Sequence, residues 1–386
     1  MNTKFFTREQ LVNLLDESYA SAQKRAEVYL NKRLSPSKPM ALFGAGNMGQ
    51  EVARRLKAKG VDVACFIDDT PEKEGTFIQQ MPVFSKKEAF AKYGSNMSVV
   101  VTILNPKHSY PATEREFKEQ FNIDTISIFG LAWSDESLFD CLHGTIPPQK
   151  TLQFKDRILQ AYDILSDEKS QEEFVRQIQF RLTLDFAILS PKEQNAYFPA
   201  DVPLALDTPF HFVDAGAYDG DSIESLCQHV DVENIKSIQA FEPDPQNFSK
   251  LEKVVLQQGL EDKTKLFKAA LDGEEGTLKF KASGDMSASF NDEGNIEVPV
   301  YTLIPCFESF DGPAYIKFDI EGAENSTIKS SLKKIKEHKP AMAISIYHKS
   351  ADIWDIPIML NDLGVGYKFY LRNHGVDTTD VICYAI

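Results

Sequence analysis

Residues 210–221 read FHFVDAGAYDGD. An apolar run, Phe210, Phe212 and Val213, ends in an acid, Asp214. Ala215, Gly216 and Ala217 make a small-residue loop, followed by Tyr218, Asp219, Gly220 and Asp221. The next stretch, SIESLCQHV, suits a helix. Strand, glycine turn and helix form a mononucleotide-binding unit, in which Gly216 lets the backbone approach a ligand with no Cβ between them. A carboxylate at the end of that strand suits an ammonium group and repels a phosphate.

A second acid sharpens the reading. SIQAFEPDP, residues 237–245, is another apolar strand, and it ends in Glu242 and Pro243. Glu242 stands 26 positions after Gly216, roughly where a carboxylate takes ribose hydroxyls in such folds. S-adenosylmethionine (SAM) carries an ammonium, a sulfonium and no phosphate. Acid, glycine loop and acid therefore fit SAM better than NAD. The competing reading is that Asp214 and Glu242 only cap helices.

The motifs DAGAYDGD, FEPDP, YIKFDIEGAE and SIYHK, in that order, resemble the FkbM family of SAM-dependent methyltransferases. The resemblance spans residues 194–386, half of the chain. It implies O-methylation of a sugar, polyketide or other natural-product hydroxyl. It also implies SAM contacts at Asp214, Gly216, Ala217, Tyr218, Gly220, Glu242 and Pro243. Tyr197 and Phe198 match the aromatic pair that precedes the glycine motif in similar sequences.

The remainder of this half alternates strands and helices, as a doubly wound sheet requires. KLFKAALDG, residues 265–273, reads as a third strand that brings Leu271 to the adenine. TLKFKA and EVPVYTL read as an inserted β excursion, with the polar loop SGDMSASFNDEGN between them as a candidate flap carrying Ser287 and Ser289. AYIKFDIEGAE is a fourth strand ending in Asp319, Glu321 and Glu324, and AMAISIYH a fifth ending in His348. YKFYLRNH and DVICYAI are joined by so short a loop that they must pair antiparallel.

Ligands of open α/β sheets lie beyond the carboxyl ends of the strands. Asp319 and His348 then face one cleft, Asp319 among the cofactor contacts as well. His348 is the expected general base near neutral pH. Asp319 and Glu321 are expected to orient it, to position the acceptor hydroxyl, or to hold a divalent cation. Lys349 and Arg372 are candidates for an anionic group on the acceptor.

The first half has its own signature. MALFGAGNMG, residues 40–49, is a strand running into G-x-G-x-x-G at Gly44, Gly46 and Gly49, followed by a helix. VDVACFIDD then ends in Asp68, 22 positions after Gly46, where an acid takes a ribose. FIDDTPEKEGTFIQQMPVF resembles the nucleotide-binding domain of bacterial sugar acyltransferases, which implies a pocket for NAD or a nucleotide-sugar. A scaffold without ligand is the alternative. Asn105, His108 and Tyr110 follow a strand of this domain and are candidates for lining its pocket.

Before these domains, residues 7–32 read as one amphipathic helix with Thr7 as N-cap. Between them, residues 152–165 and 169–184 read as two helices of a connector. The expected architecture is two Rossmann-like, doubly wound α/β domains joined by that connector. Its parts are an N-terminal helix (1–37), a nucleotide-binding domain (38–140), the connector (141–205) and a methyltransferase domain (206–386) whose sheet has an antiparallel last strand.

Composition bounds the rest. The 386 residues carry a net charge of -15 and are 42% hydrophobic. Nothing offers the basic surface that nucleic acid needs, and no apolar run is long enough to span a membrane. The five cysteines are scattered, with no zinc spacing, which suits a reduced, cytoplasmic protein. The expected partner is a small-molecule acceptor, a sugar or natural product; self-association into a homo-oligomer is left open. A binding or scaffold protein with a vestigial SAM site is the second reading, and an NAD-dependent oxidoreductase the third.

Overall fold

The structure is a computed structural model, and it describes residues 6–105, 107–138, 145–281, 289–290 and 296–386. The chain divides into two compact units. The first holds Met1–Lys155, Val175–Ser190 and Val376–Thr378, and the second Asp156–Phe174, Pro191–Gly375 and Thr379–Ile386.

The first unit opens with α1 (Arg8–Leu15) and α2 (Tyr19–Arg33). The single helix expected over 7–32 is therefore broken. Thr7 caps α1 as expected, but Ser18 is extended and its Oγ accepts from Ser21 N–H at 3.2 Å, starting a new helix. Leu11, Leu15, Ala22 and Ala26 are still buried, so the apolar period was real and a local cap interrupts it.

Strands β1 (Met40–Phe43), β2 (Val63–Ile67), β3 (Phe77–Ile78), β4 (Met81–Phe84), β5 (Ser98–Val101) and β6 (Ile126–Ser127) form a sheet in the order β3-β4-β2-β1-β5-β6. All pairs are parallel except β3 with β4. Alternation decides the two cores. Leu42, Phe66 and Val100 face one, and Ala41, Phe43, Cys65, Ile67, Val99 and Val101 face the other. Both faces are buried, so the strands read as continuous apolar runs. Helices α3 (Asn47–Ala58), α4 (Lys86–Tyr93), α5 (Tyr110–Phe121), α6 (Ile128–Ser134) and α7 (Pro148–Thr151) complete the unit.

The connector helices are α8 (Lys155–Asp163) and α9 (Glu168–Thr183). α9 belongs to both units, its residues up to Phe174 to the second and those from Val175 to the first.

The second unit is built on β7 (Phe210–Ala215), β8 (Ile235–Phe241), β9 (Thr264–Phe267), β14 (Ala314–Phe318), β15 (Ala341–Ser345), β16 (Phe369–Asn373) and β17 (Val381–Ala385). Their order is β16-β17-β15-β14-β7-β8-β9. β17 runs antiparallel to β16, as the short connection required, and also to β15. Helices α10 (Asp221–His229), α11 (Pro245–Gln257), α12 (Glu324–His338) and α13 (Asp352–Asn361) connect the strands. The order reverses between β7 and β14, which is where such a sheet opens a crevice for a ligand.

The expected third strand over 265–273 is split. After β9 the chain leaves the main sheet, and β10 (Ala270–Leu271) pairs instead with β13 (Ile296–Tyr301). With β11 (Gly276–Lys281) and β12 (Ser289–Phe290) these make a second sheet, β10-β13-β11-β12. That is the expected β excursion. The expected flap, with Ser287, lies outside the described residues apart from β12, as does Cys141. No helix among the described residues is long and apolar enough to cross a membrane.

Candidate functional site

The register of β14 on β7 sets Lys317 opposite Asp214 and Phe318 opposite Ala215. Both charged side chains are buried, at 3% and 0% exposure, and their Nζ and Oδ1 lie 3.0 Å apart. Lys317 also donates to the Gly216 carbonyl, and Ser222 Oγ donates to Asp214. Burial alone would lower the Lys317 pKa, but Asp214, Asp319 and Asp221 raise it, so it carries its charge. Asp214 was expected to face the ligand. Instead it lies under the glycine turn, engaged by Lys317 and Ser222, and it is Lys317 that reaches the cavity.

That cavity, of about 250 Å³, opens beyond the carboxyl ends of β7, β8 and β14. Gly216, Tyr218, Glu242, Pro243, Leu271, Asp319 and Glu321 line it as expected. Ala217 and Gly220 do not. Ala217 is in the core, and at Gly220 a Cβ would stand 2.8 Å from Val254, so that glycine serves the packing of α10 on α11. Tyr197, Tyr218, Glu321 and Asp380 on the cavity wall all have positive φ without being glycine. Strained backbone of this kind costs about 1–3 kcal/mol per residue and gathers at functional sites.

Glu242 is held from below. Its Oε2 accepts from Tyr218 N–H at 2.9 Å and its Oε1 from Asp244 N–H at 2.8 Å. Burial pushes its pKa up to about 8, against the pull of those two donors. Asp244 in turn caps α11 through Gln246 and Asn247 N–H. The FEPDP turn thus locks the carboxylate in place at the cavity wall.

At the other end, Asp319 accepts from Tyr197 Oη at 2.9 Å and Tyr347 Oη at 3.3 Å. His348 stands behind it, 5% exposed and off the cavity wall. Its Nδ1 is 2.9 Å from Glu324 Oε1, and its Nε2 is 3.7 Å from Asp319 Oδ1 and 3.6 Å from Glu321 Oε2. Burial would depress the imidazole pKa, but Glu324, Glu321 and Asp319 carry it up to about 10. His348, the expected general base, thus lies buried behind the cavity wall with three carboxylates around it. The sequence placed it at a strand end but could not show that α12 would set Glu324 against it.

Two other candidates are structural. Arg372 is 1% exposed and bonded to Asp167, Asp201 and Ser170. Phe198 is in the core, and its ring stacks on the exposed His229. Lys349 is exposed beside Gly322. Asp221, Lys317, Tyr347 and Asp380 also line the cavity wall, although the sequence did not single them out as site residues. Lys317 had a signal: a charge in the middle of an otherwise apolar strand, on the same face as Asp319.

In the first unit, Asp68 Oδ2 accepts from Ala45 N–H at 2.8 Å and pairs with Lys73 at 3.0 Å. The glycines differ in purpose. A Cβ at Gly49 would stand 1.9 Å from the Gly44 carbonyl, and Gly44 has φ +111. A Cβ at Gly46 would meet nothing within 4 Å. The three pocket candidates are tied into the fold: Asn105 Oδ1 accepts from Lys107 N–H, His108 bonds to Thr113, and Tyr110 is buried with its hydroxyl on Thr125 O.

Residues 214–369 match the family model described as the methyltransferase FkbM domain, and residues 39–129 that of the NAD binding domain of 6-phosphogluconate dehydrogenase. The second unit is thus similar to a methyltransferase domain, and the first to a Rossmann-like NAD-binding domain. Among solved structures it is similar to a methyltransferase FkbM from Methylobacillus flagellatus, with 17% identity, TM-score 0.74 and 100% of each chain covered. That likeness shows the fold. Fibrillarin from Aeropyrum pernix with natively bound SAM is also similar, with 11% identity, TM-score 0.30, and 50% of this chain and 73% of that one covered; at that score it bears on nothing below. No curated protein matches the chain.

Proposed function

We propose that the second unit transfers a methyl group from SAM to a hydroxyl of a sugar, nucleotide-sugar or other natural-product acceptor. The distribution of charge around one cavity carries this reading. Glu242 suits the ribose hydroxyls, with Leu271 and Pro243 beside the adenine. Lys317, the one cation on the cavity wall among the described residues, suits the α-carboxylate. Asp221, Asp319 and Asp380 suit the ammonium and the sulfonium. A dinucleotide would set a pyrophosphate against those acids. Methyl transfer needs the acceptor oxygen held in line with the sulfonium, and positioning alone is worth roughly 7–11 kcal/mol. Titrating the full chain with S-adenosylhomocysteine should show one site per chain; absence of binding would sink the proposal.

The first unit is proposed to hold NAD or a nucleotide-sugar on the loop from Gly44 to Gly49. Gly46 supports this, because the protein itself does not require a glycine there, whereas a pyrophosphate at the helix N-terminus would. Gly46→Val should leave folding and S-adenosylhomocysteine affinity intact while weakening NAD or nucleotide-sugar binding at least tenfold. Equal binding by parent and variant would return the loop to a scaffold role.

A further inference from the structure

We propose that Asp319, Glu321 and His348 form a site for a divalent first-row transition ion. Their spacing is the first argument. His348 Nε2 lies 3.7 Å from Asp319 Oδ1 and 3.6 Å from Glu321 Oε2. These separations are too long for hydrogen bonds. Ligands at about 2.1 Å from a shared ion stand roughly 3–3.5 Å apart, so each carboxylate need move only slightly to share an ion with Nε2.

The second argument is the support behind the imidazole. Glu324 Oε1 lies 2.9 Å from His348 Nδ1 and also accepts from Ile320 N–H at 2.9 Å. A carboxylate on Nδ1 directs the Nε2 lone pair outward, the arrangement that metal-binding histidines use.

A third, independent observation concerns the other oxygen of Glu324. The residue is 0% exposed, and its Oε2 has no hydrogen-bond partner among the described residues. Ligand atoms of Asp319, Glu324 and His348 lie within 4.8 Å of one another. A buried carboxylate oxygen left unbonded is costly, and a nearby dication would offset that cost.

The donor set selects the ion. An imidazole nitrogen with two carboxylates suits Mn²⁺ through Zn²⁺ better than Mg²⁺ or Ca²⁺, which prefer all-oxygen sites. Asp319 and Glu321 line the cavity, so the remaining coordination positions would open into it. Resting on the methyltransferase reading, the acceptor hydroxyl is the group that such an ion would hold and polarise.

The test uses the full chain, stripped by chelator, with Mn²⁺ as the probe and no SAM present. Calorimetry should show one Mn²⁺ per chain. Glu321→Gln, a change at a half-exposed side chain, should weaken Mn²⁺ binding at least tenfold. Glu324→Gln should weaken it about 10–100-fold. Electron paramagnetic resonance should show nitrogen coupling to Mn²⁺ that disappears in His348→Gln. Wild type that takes up no Mn²⁺, or Glu321→Gln and His348→Gln that bind it as wild type does, would overturn the site. A chain that binds Mn²⁺ but not S-adenosylhomocysteine would keep the site and sink the methyltransferase reading instead.

Discussion

Lys317→Met should destabilise the protein by about 3–5 kcal/mol, because it strands a buried carboxylate without its cation. Asp214 is 0% exposed and its ion pair is Lys317. Removing both charges should repair most of that loss: Asp214→Leu with Lys317→Met should regain stability that either change alone gives up. Cofactor affinity should not return with it. Wild type should prefer S-adenosylhomocysteine over 5′-methylthioadenosine, which lacks the amino-acid group, and the double variant should lose at least tenfold of that preference. Urea denaturation and calorimetry on the four proteins separate the two roles. A double variant that keeps the full preference would show that Lys317 only neutralises Asp214.

Gly216→Ala is the second large effect expected. Gly216 has φ +86, and a Cβ there would stand 1.8 Å from the Asp319 carbonyl oxygen. The left-handed conformation costs an alanine roughly 1–2 kcal/mol, and forced displacement of packed backbone adds about 1–3 kcal/mol. A loss of about 2–5 kcal/mol in urea denaturation is therefore expected, together with a displaced Asp319 and weakened S-adenosylhomocysteine binding. Gly46→Val supplies the contrast. That position has φ -79 and an open surround, so its stability should stay within about 0.5 kcal/mol of the parent. Equal stability of the two variants would mean that the turn at Gly216 can relax.

Much of this fold was legible because both sheets announce themselves as apolar strands ending in a glycine turn or an acid. The FVDAG and LFGAG stretches each became a central strand, and the antiparallel β17 followed from the short loop before it. What escaped the reading was set by packing between distant segments. Strand β9 stops at Phe267 because the next residues pair with β13 instead. The break before α2 was hidden inside an unbroken apolar period, and only the cap at Ser18 reveals it.

The candidate site divides in the same way. Glu242, Gly216 and Asp319 reached the cavity because their places at strand ends are local properties. Asp214 and His348 lie off the cavity wall. Each was claimed by a partner far along the chain, Lys317 for one and Glu324 for the other. Asp380 lies at the start of β17 and reaches the cavity only because that strand is inserted between β15 and β16.

The central claim is that SAM occupies the cavity at the ends of β7, β8 and β14. Calorimetric titration of S-adenosylhomocysteine into wild type and Glu242→Gln tests it most directly. Above about pH 8, where Glu242 is ionised, the variant should stay folded and bind about 1.5–3 kcal/mol more weakly, the scale of a hydrogen bond to a charged group. Identical affinity in the two proteins would place the cofactor elsewhere.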